Sequence, residues 1–168
     1  YVNHLLRVAI RVMSHYGVRD ADVACAALLH DAVEDHAAEL ASDGRRAEGV
    51  SGGGREAALA ALAAGFGPRV AELVGAVTNP EYAPGRDPHE QYREHVAESL
   101  RGNPWARVIK ASDFTDNGVG LIHSTGPRLR KLAGKYAPLV PVLRELIARP
   151  DTPLDARVRE HILAQLEA

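Results

Sequence analysis

Hydrophobic residues recur at three- and four-residue spacing along most of this chain, which is the pattern of amphipathic α-helices. Gly17 closes the first such segment, whose apolar positions are Leu5, Leu6, Val8, Ala9, Val12 and Met13. A second helix is predicted to begin at a cap formed by Asp20 or Asp22 and to run to about Asp35. We expect it in the middle of the domain, because most of its circumference is apolar through Val23, Ala26, Ala27, Leu28 and Val33.

Glycine and proline divide the rest of the chain into further helical segments. The pattern predicts loops at 79–88 and 118–127, and helices over residues 56–64, 68–77, 89–100, 104–117, 138–148 and 153–167. Residues 41–55 are polar and glycine-rich, and we expect a flexible loop there, because the segment before it is too short to fold alone. Without an internal repeat or an alternating strand pattern, residues 1–168 predict a single all-α domain.

Composition narrows the class of protein. The chain has 168 residues, 46% hydrophobic and 25% charged, which favours one domain with a real core over a disordered chain. A net charge of −2 provides no overall field for nucleic acid or an anionic membrane, so we expect neither partner. The single cysteine, Cys25, excludes an internal disulfide and is consistent with a cytoplasmic protein. No signal peptide or membrane-spanning run is visible, and the start at Tyr1 leads us to expect further residues upstream.

Eight histidines against one cysteine indicate that any metal site would use nitrogen and oxygen ligands. The sharpest local feature is a group of four ionisable residues in the apolar second helix: His30, Asp31, Glu34 and Asp35. Residues four apart share a helix face, so His30 should lie over Glu34 and Asp31 over Asp35. Burying three carboxylates is costly unless a cation compensates them, and a divalent metal would do so. The alternative is an ordinary solvated helix face.

Two further segments have the same character. Asp113 and Asn117 share a face of the helix predicted at 104–117, and Lys110 lies one turn earlier. Lys110 and Asp113 could simply pair on the surface, or Asp113 could bind a metal while Asn117 contacts a substrate. His4 by itself is an ordinary polar residue at a helix start. It gains meaning from the set of His4, His30–Asp31 and Asp113, which lie on helices that can converge.

The order His4, His30-Asp31, Asp113 resembles the HD superfamily of metal-dependent phosphohydrolases. More narrowly, the chain is similar to the RelA/SpoT-type small alarmone hydrolases over residues 1–117. That similarity is carried by Tyr1-Val2-Asn3-His4, Val8-Ala9, Ala26-Ala27-Leu28-Leu29-His30-Asp31-Ala32-Val33-Glu34-Asp35, Phe66-Gly67, Val70, Leu73-Val74, Val77-Thr78, Lys110-Ala111-Ser112-Asp113 and Asn117.

The resemblance implies an HD-type helical bundle that binds Mn²⁺ and removes the 3′-pyrophosphate from guanosine tetra- or pentaphosphate. It assigns the metal to His4, His30, Asp31 and Asp113. Glu34 and Asp35 would orient and deprotonate the attacking water, and Lys110 and Asn117 would bind the nucleotide. The partner is thus expected to be a small-molecule nucleotide.

Two residues depart from the family pattern. Phe114 stands where a basic residue is usual, and Asp116 adds negative charge where a polyphosphate should lie, unless its side chain points away. These departures keep open a different nucleotide phosphohydrolase on the same site, of the 5′-nucleotidase or NADPH phosphatase type. A non-catalytic nucleotide-binding module is a further alternative, although it would not need Glu34 and Asp35. A small basic cluster is expected to be a charged helix face that could also hold phosphate: Arg128, Arg130, Lys131 and Lys135.

Overall fold

The computed structural model describes residues 1–48, 54–122 and 134–167. Within these ranges the chain is helical without any strand, which confirms the all-α prediction. None of the described helices combines the length and the apolar character needed to cross a bilayer. The α-helices are α1 Val2–Ile10, α2 Ala21–Leu29, α3 Ala32–Glu48, α4 Gly54–Phe66, α5 Pro68–Val77, α6 Pro88–Gly102, α7 Pro104–Ile122, α8 Val140–Ala148 and α9 Ala156–Gln165. A π-helical turn, Arg11–His15, follows α1, and a 3₁₀ turn, Ala137–Leu139, precedes α8.

Helix α2 lies in the middle of the bundle, as its apolar circumference predicts. It packs against α1, α5 and α7, and its Val23, Ala26 and Ala27 are completely buried. Alanine side chains allow neighbouring helices to approach closely, since they add little bulk at the contact. Asp20 caps α2 by accepting hydrogen bonds from the backbone N–H groups of Asp22 and Val23 at 3.1 and 3.2 Å.

The predicted helix ending near Asp35 is in fact two helices. Helix α2 ends at Leu29 and α3 begins at Ala32, so His30 and Asp31 occupy the junction between them. The Asp31 carbonyl accepts from the backbone N–H groups of Glu34 and Asp35 at 3.1 and 3.0 Å, which starts the new helix. A second break follows at His36, whose backbone dihedrals are −133° and 27°. The prediction of one continuous helix through Asp35 is therefore wrong.

The flexible loop predicted at 41–55 is also wrong over most of its length. Helix α3 continues through Glu48 and α4 already begins at Gly54, while residues 49–53 lie outside the described residues. Alanine, arginine and glutamate in this segment are good helix formers, and packing of α3 against α4 outweighs the glycines. Similarly, α7 extends through Ile122 instead of ending at Asn117, and residues 123–127 of the loop predicted there are not described.

The apolar stripe of the first segment is only partly buried. Val8, Ala9 and Val12 face the core, whereas Leu6 and Met13 are 45% and 38% exposed. The predicted helix is present through the end of α1, whereas Val12 and Met13 lie in the π-helical turn, and the apolar side chains cover a wider arc than the surface that packs against α2 and α7.

A buried arginine joins α7 to the segment between α8 and α9. Arg107 is fully buried and donates to both carboxylate oxygens of Asp151, at 2.7 and 3.0 Å. It also donates to the backbone carbonyls of Leu100 and Arg101, at 2.6 and 2.9 Å. These bonds satisfy the guanidinium away from water and connect the end of α6, the start of α7 and the α8–α9 segment.

The Arg107–Asp151 pair should make stability depend on pH. Hydrogen bonds from Arg107 lower the pKa of the Asp151 carboxyl below its ordinary value of about 3.9. A lowered folded-state pKa gives stability that is complete above the unfolded pKa and is lost as pH falls toward the folded one. We therefore expect Asp151→Asn to lower the melting temperature at pH 7, and the difference from wild type to shrink as pH falls below about 4.

Thermal unfolding followed by circular dichroism between pH 3 and pH 7 measures this difference. Asp155→Asn is the matched control, because Asp155 is exposed and its side chain makes no cap hydrogen bond. A melting-temperature difference for Asp151→Asn that stays constant over this pH range would contradict the prediction.

Candidate metal centre

Side chains from three separate parts of the chain meet at one point. His4 comes from α1, His30 and Asp31 from the α2–α3 junction, and Asp113 from α7. Ligand atoms of His4, His30 and Asp31 all lie within 4.8 Å of one another, a group that can hold a metal ion. The Nε2 atoms of His4 and His30 are 3.2 Å apart. Asp113 Oδ1 lies 3.3 Å from His4 Nε2 and 3.7 Å from His30 Nε2, so the structure brings the fourth predicted ligand to the same place.

Hydrogen bonds orient both imidazole rings so that their Nε2 atoms point into this cluster. His30 Nδ1 donates to the Ala27 carbonyl at 2.8 Å, which requires the proton on Nδ1 and leaves a lone pair on Nε2. His4 Nδ1 donates to Asp116 Oδ2 at 2.7 Å, with the same result. A carbonyl or carboxylate behind a ligating histidine is the usual arrangement at metal sites, where it fixes the ring and increases the basicity of the ligand.

Asp116 points away from the cavity and is held by two arginines. Arg7 donates to both of its carboxylate oxygens, at 2.9 and 2.8 Å, and Arg11 donates to Oδ1 at 3.2 Å. Burial raises the pKa of Asp116, but the bonds from Arg7, His4 and Arg11 outweigh it and hold the pKa below its ordinary value. The negative charge that the sequence places near the phosphate is thus compensated by Arg7 on α1 and Arg11 in the π-helical turn, and it orients His4 instead.

The cluster attracts positive charge. Two imidazole lone pairs face the carboxylates of Asp31 and Asp113, and all four groups are acceptors once the Nδ1 protons are in place. The Asp113 hydrogen bond, against the effect of burial, raises the pKa of His4 to about 9, with Asp116 also contributing. A proton can therefore supply the missing cation, and a metal ion that replaced it would release that proton. The two nitrogen and two oxygen donors form a set that can bind a divalent cation.

Lys110 and Asn117, predicted to bind substrate, both donate to Asp113. Lys110 Nζ lies 3.0 Å from Asp113 Oδ2, and Asn117 Nδ2 lies 2.7 Å from Oδ1. Burial disfavours the Asp113 carboxylate, but Lys110 and the two histidines hold its pKa well below the ordinary value. The pairing of Lys110 with Asp113 is therefore buried, unlike the surface pair that was the alternative interpretation.

Glu34 and Asp35 lie in the first turn of α3, beside the cluster. Asn79 holds Glu34 by two bonds: its backbone N–H donates to Oε1 at 2.7 Å and its side-chain amide donates to Oε2 at 2.5 Å. The cavity wall reduces the hydration of Glu34 and raises its pKa, although Asn79 and Lys110 act in the opposite direction. A carboxylate that is held in position and has a raised pKa is suited to accept a proton.

These groups line one cavity of about 210 Å³. Pockets that enclose a drug-sized ligand measure about 300–1,000 Å³, so the described walls suit a phosphate-bearing part of a nucleotide better than a whole one. The cavity brings together every predicted site residue except His30, which is buried behind it at 2% exposure. Its lining consists of His4, Asp31, Glu34, Asp35, Asn79, Tyr92, Lys110, Asp113, Asn117, Lys135 and Tyr136.

Several lining residues were missed or assigned another role from the sequence. No motif indicates Asn79 or Tyr92, because their contribution arises only when the α5–α6 loop and α6 pack beside α3 and α7. Phe114, the other departure from the family pattern, packs edge-on against Tyr136, with ring centroids 5.6 Å apart. Of the predicted basic cluster, Lys135 lies in the cavity wall. The other three members lie outside the described residues: Arg128, Arg130 and Lys131.

Removing the carboxylate behind His4 should weaken metal binding without touching a ligand. We expect Asp116→Asn to lower the affinity for Mn²⁺ about 10–100-fold, because the imidazole loses its anionic partner and Arg7 and Arg11 lose theirs. Isothermal titration with Mn²⁺ measures the change, with Asp155→Asn as the control of equal charge change on an exposed residue. An Asp116→Asn protein that binds Mn²⁺ like wild type would show that Asp116 does not support the site.

Comparison with known proteins identifies no relative whose site could be set beside this one. No protein-family model, curated protein or solved structure matches the chain. The resemblance to the HD phosphohydrolases stays a prediction, carried by the residues quoted for it.

Proposed function

We propose that this protein is a divalent-metal phosphohydrolase of the HD type that acts on a nucleotide. The observation that carries the proposal is the convergence of His4, His30, Asp31 and Asp113, whose facing nitrogen and oxygen atoms lie 3.2–3.7 Å apart. When both rings are neutral and protonated on Nδ1, these four groups face one another as acceptors, and burying them together is costly unless a proton or a metal ion compensates them. A metal-binding role explains the arrangement directly.

The resemblance to the HD phosphohydrolases makes Mn²⁺ the first ion to test, and a bound ion would polarise a phosphoryl oxygen and offset negative charge in the transition state. The chain's own residues supply the remaining functions. Glu34, positioned by Asn79, accepts the proton of the attacking water. Asp35, next to it in the cavity wall, helps to orient that water. Lys110 and Asn117 hold the Asp113 carboxylate in a single orientation.

The most specific form of the proposal is removal of the 3′-pyrophosphate from guanosine tetra- or pentaphosphate, which would make the protein an alarmone hydrolase. Water attacks the 3′-linked phosphorus, the bond to the ribose 3′-oxygen breaks, and the products are a nucleoside 5′-polyphosphate and pyrophosphate. Supporting this form, neither departure from the family pattern adds charge to the cavity: Asp116 is bonded to Arg7 and Arg11, and Phe114 packs against Tyr136.

A panel of nucleotides incubated with Mn²⁺ tests the proposal. It should contain guanosine tetraphosphate, nucleoside 5′-mono- and triphosphates and NADPH, with product analysis that distinguishes pyrophosphate from phosphate. Release of pyrophosphate and GDP from guanosine tetraphosphate is the expected result. Phosphate released from 5′-nucleotides or NADPH would favour the second phosphohydrolase type. Nucleotide binding without turnover would favour the regulatory module, and the absence of Mn²⁺ binding would overturn the metal site itself.

A further inference from the structure

The cavity wall contains a cation that the proposed mechanism does not use. Lys135 lies just before the 3₁₀ turn that leads into α8 and lines the cavity with the metal-ligand candidates. Its ammonium nitrogen is 4.7 Å from the ring centroid of Tyr92 and 5.3 Å from that of Tyr136. Contact with two aromatic faces holds the ammonium in place while leaving its protons available, because a π-face does not consume an N–H bond in the way a carboxylate does.

The two lysines of the cavity differ in their partners. Lys110 is bonded to Asp113, and its nitrogen lies 5.8 Å from the centroid of the same Tyr92 ring. Among the described residues no carboxylate forms an ion pair with Lys135. Burial and the neighbouring Lys110 both lower the pKa of Lys135, as expected for a charge whose compensation is incomplete. An anionic group of a bound ligand would complete the charge compensation of Lys135.

Tyr92 places the Lys135 ammonium in the same cavity as the Lys110–Asp113 pair. Tyr92 is 2% exposed, and the centroid of its ring lies 4.7 Å from the ammonium nitrogen of Lys135 and 5.8 Å from that of Lys110, so both cations line the same cavity. A substrate with a single phosphate at the metal ligands would leave Lys135 without a partner. A substrate with a second phosphate would reach both the ligands and Lys135.

We propose that Lys135 binds a second phosphate group of the substrate, beyond the one that reacts, and thereby selects nucleotides that carry at least two phosphates in the cavity. This inference rests on the proposed function and deepens it, because it names the group that sets the substrate class. Lys135 is a substrate-binding residue here, not a proton donor or acceptor.

Steady-state kinetics with Mn²⁺ on the same nucleotide panel test the assignment. For a nucleotide with two or more phosphates, Lys135→Gln should raise KM about tenfold or more and leave kcat within about twofold, since a charge-assisted hydrogen bond to a non-reacting group is lost. Lys135→Arg should restore much of the affinity, because guanidinium also stacks on tyrosine and binds phosphate. Arg157→Gln, which removes one positive charge from an exposed position on α9, should match wild type.

Titration with Mn²⁺ in parallel separates the possible failures. If wild type binds Mn²⁺ and turns over a polyphosphorylated nucleotide but Lys135→Gln leaves KM unchanged, the Lys135 assignment is overturned while the proposed function stands. Equal loss of Mn²⁺ affinity, kcat and melting temperature in Lys135→Gln would show a packing role and also overturn it. Turnover restricted to nucleotides with one phosphate contradicts the substrate class. Wild type that neither binds Mn²⁺ nor hydrolyses any nucleotide contradicts the proposed function.

Discussion

Replacing His30 with alanine should reduce the affinity for Mn²⁺ by more than the roughly 10–100-fold expected for a group behind a ligand. His30 is the most buried of the four ligand candidates, its ring is fixed by the Ala27 carbonyl, and its Nε2 lies 3.2 Å from both His4 Nε2 and an Asp31 oxygen. Alanine cannot replace that nitrogen, and the remaining carboxylates then face one imidazole. Activity with Mn²⁺ should fall with the affinity.

The measurement is the rise in melting temperature when Mn²⁺ is added, because an ion that binds only the folded state stabilises it by mass action. Wild type should show such a rise and His30→Ala should lose it. His161→Ala is the matched control, since His161 is exposed on α9. Circular dichroism establishes that the His30→Ala protein is folded. A folded His30→Ala protein with the wild-type response to Mn²⁺ would exclude His30 as a ligand.

The second large effect concerns Glu34. Glu34→Gln should lower kcat by about 10²–10⁴-fold, the usual contribution of a positioned general base, while Mn²⁺ affinity stays close to that of wild type. Glutamine keeps the shape of the side chain and can still accept the backbone N–H of Asn79, but its amide cannot take up a proton. The variant therefore separates proton transfer from metal binding.

Single-turnover rates with saturating nucleotide, together with a Mn²⁺ titration, measure this separation. Glu39→Gln removes the same charge from an exposed position on the same helix and should keep full activity. If Glu34→Gln retained the wild-type rate, Asp35 or another group would have to be the base. If it lost Mn²⁺ binding in proportion to the rate, Glu34 would be part of the metal site instead.

Local pattern predicted the residues of the cluster better than it predicted their surroundings. His4, His30-Asp31 and Asp113 are recognisable because each places a metal-binding group in or beside an apolar helix, and the structure brings all of them together. The shared face of Lys110, Asp113 and Asn117 follows directly from helix geometry and is present. For these residues, spacing along one helix was sufficient to predict which side chains lie together.

Relationships between distant segments could not be predicted in this way. Asn79 is 45 residues from Glu34 and Asp116 is 112 residues from His4, so no spacing rule connects them. The sequence suggested that Asp116 would repel a polyphosphate unless its side chain pointed away, because the two arginines that compensate it are 109 and 105 residues away in the chain. The prediction for residues 41–55 failed for a related reason. Their composition suggested a flexible loop, whereas packing between α3 and α4 stabilises helix on both sides of residues 49–53.

The bond between His4 and Asp116 has a consequence for local unfolding, in which helix α1 would detach from the rest of the bundle. Helix α1 carries one ligand candidate, His4, and Arg7, and the π-helical turn after it carries Arg11, the second arginine that neutralises Asp116. Detaching α1 would remove His4 from the cluster and leave the buried Asp116 without its bonds to His4 and Arg7. Docking of α1 and assembly of the candidate metal site should therefore be coupled, because the contact between His4 and Asp113, 109 positions apart in the chain, exists only when α1 is packed against α7.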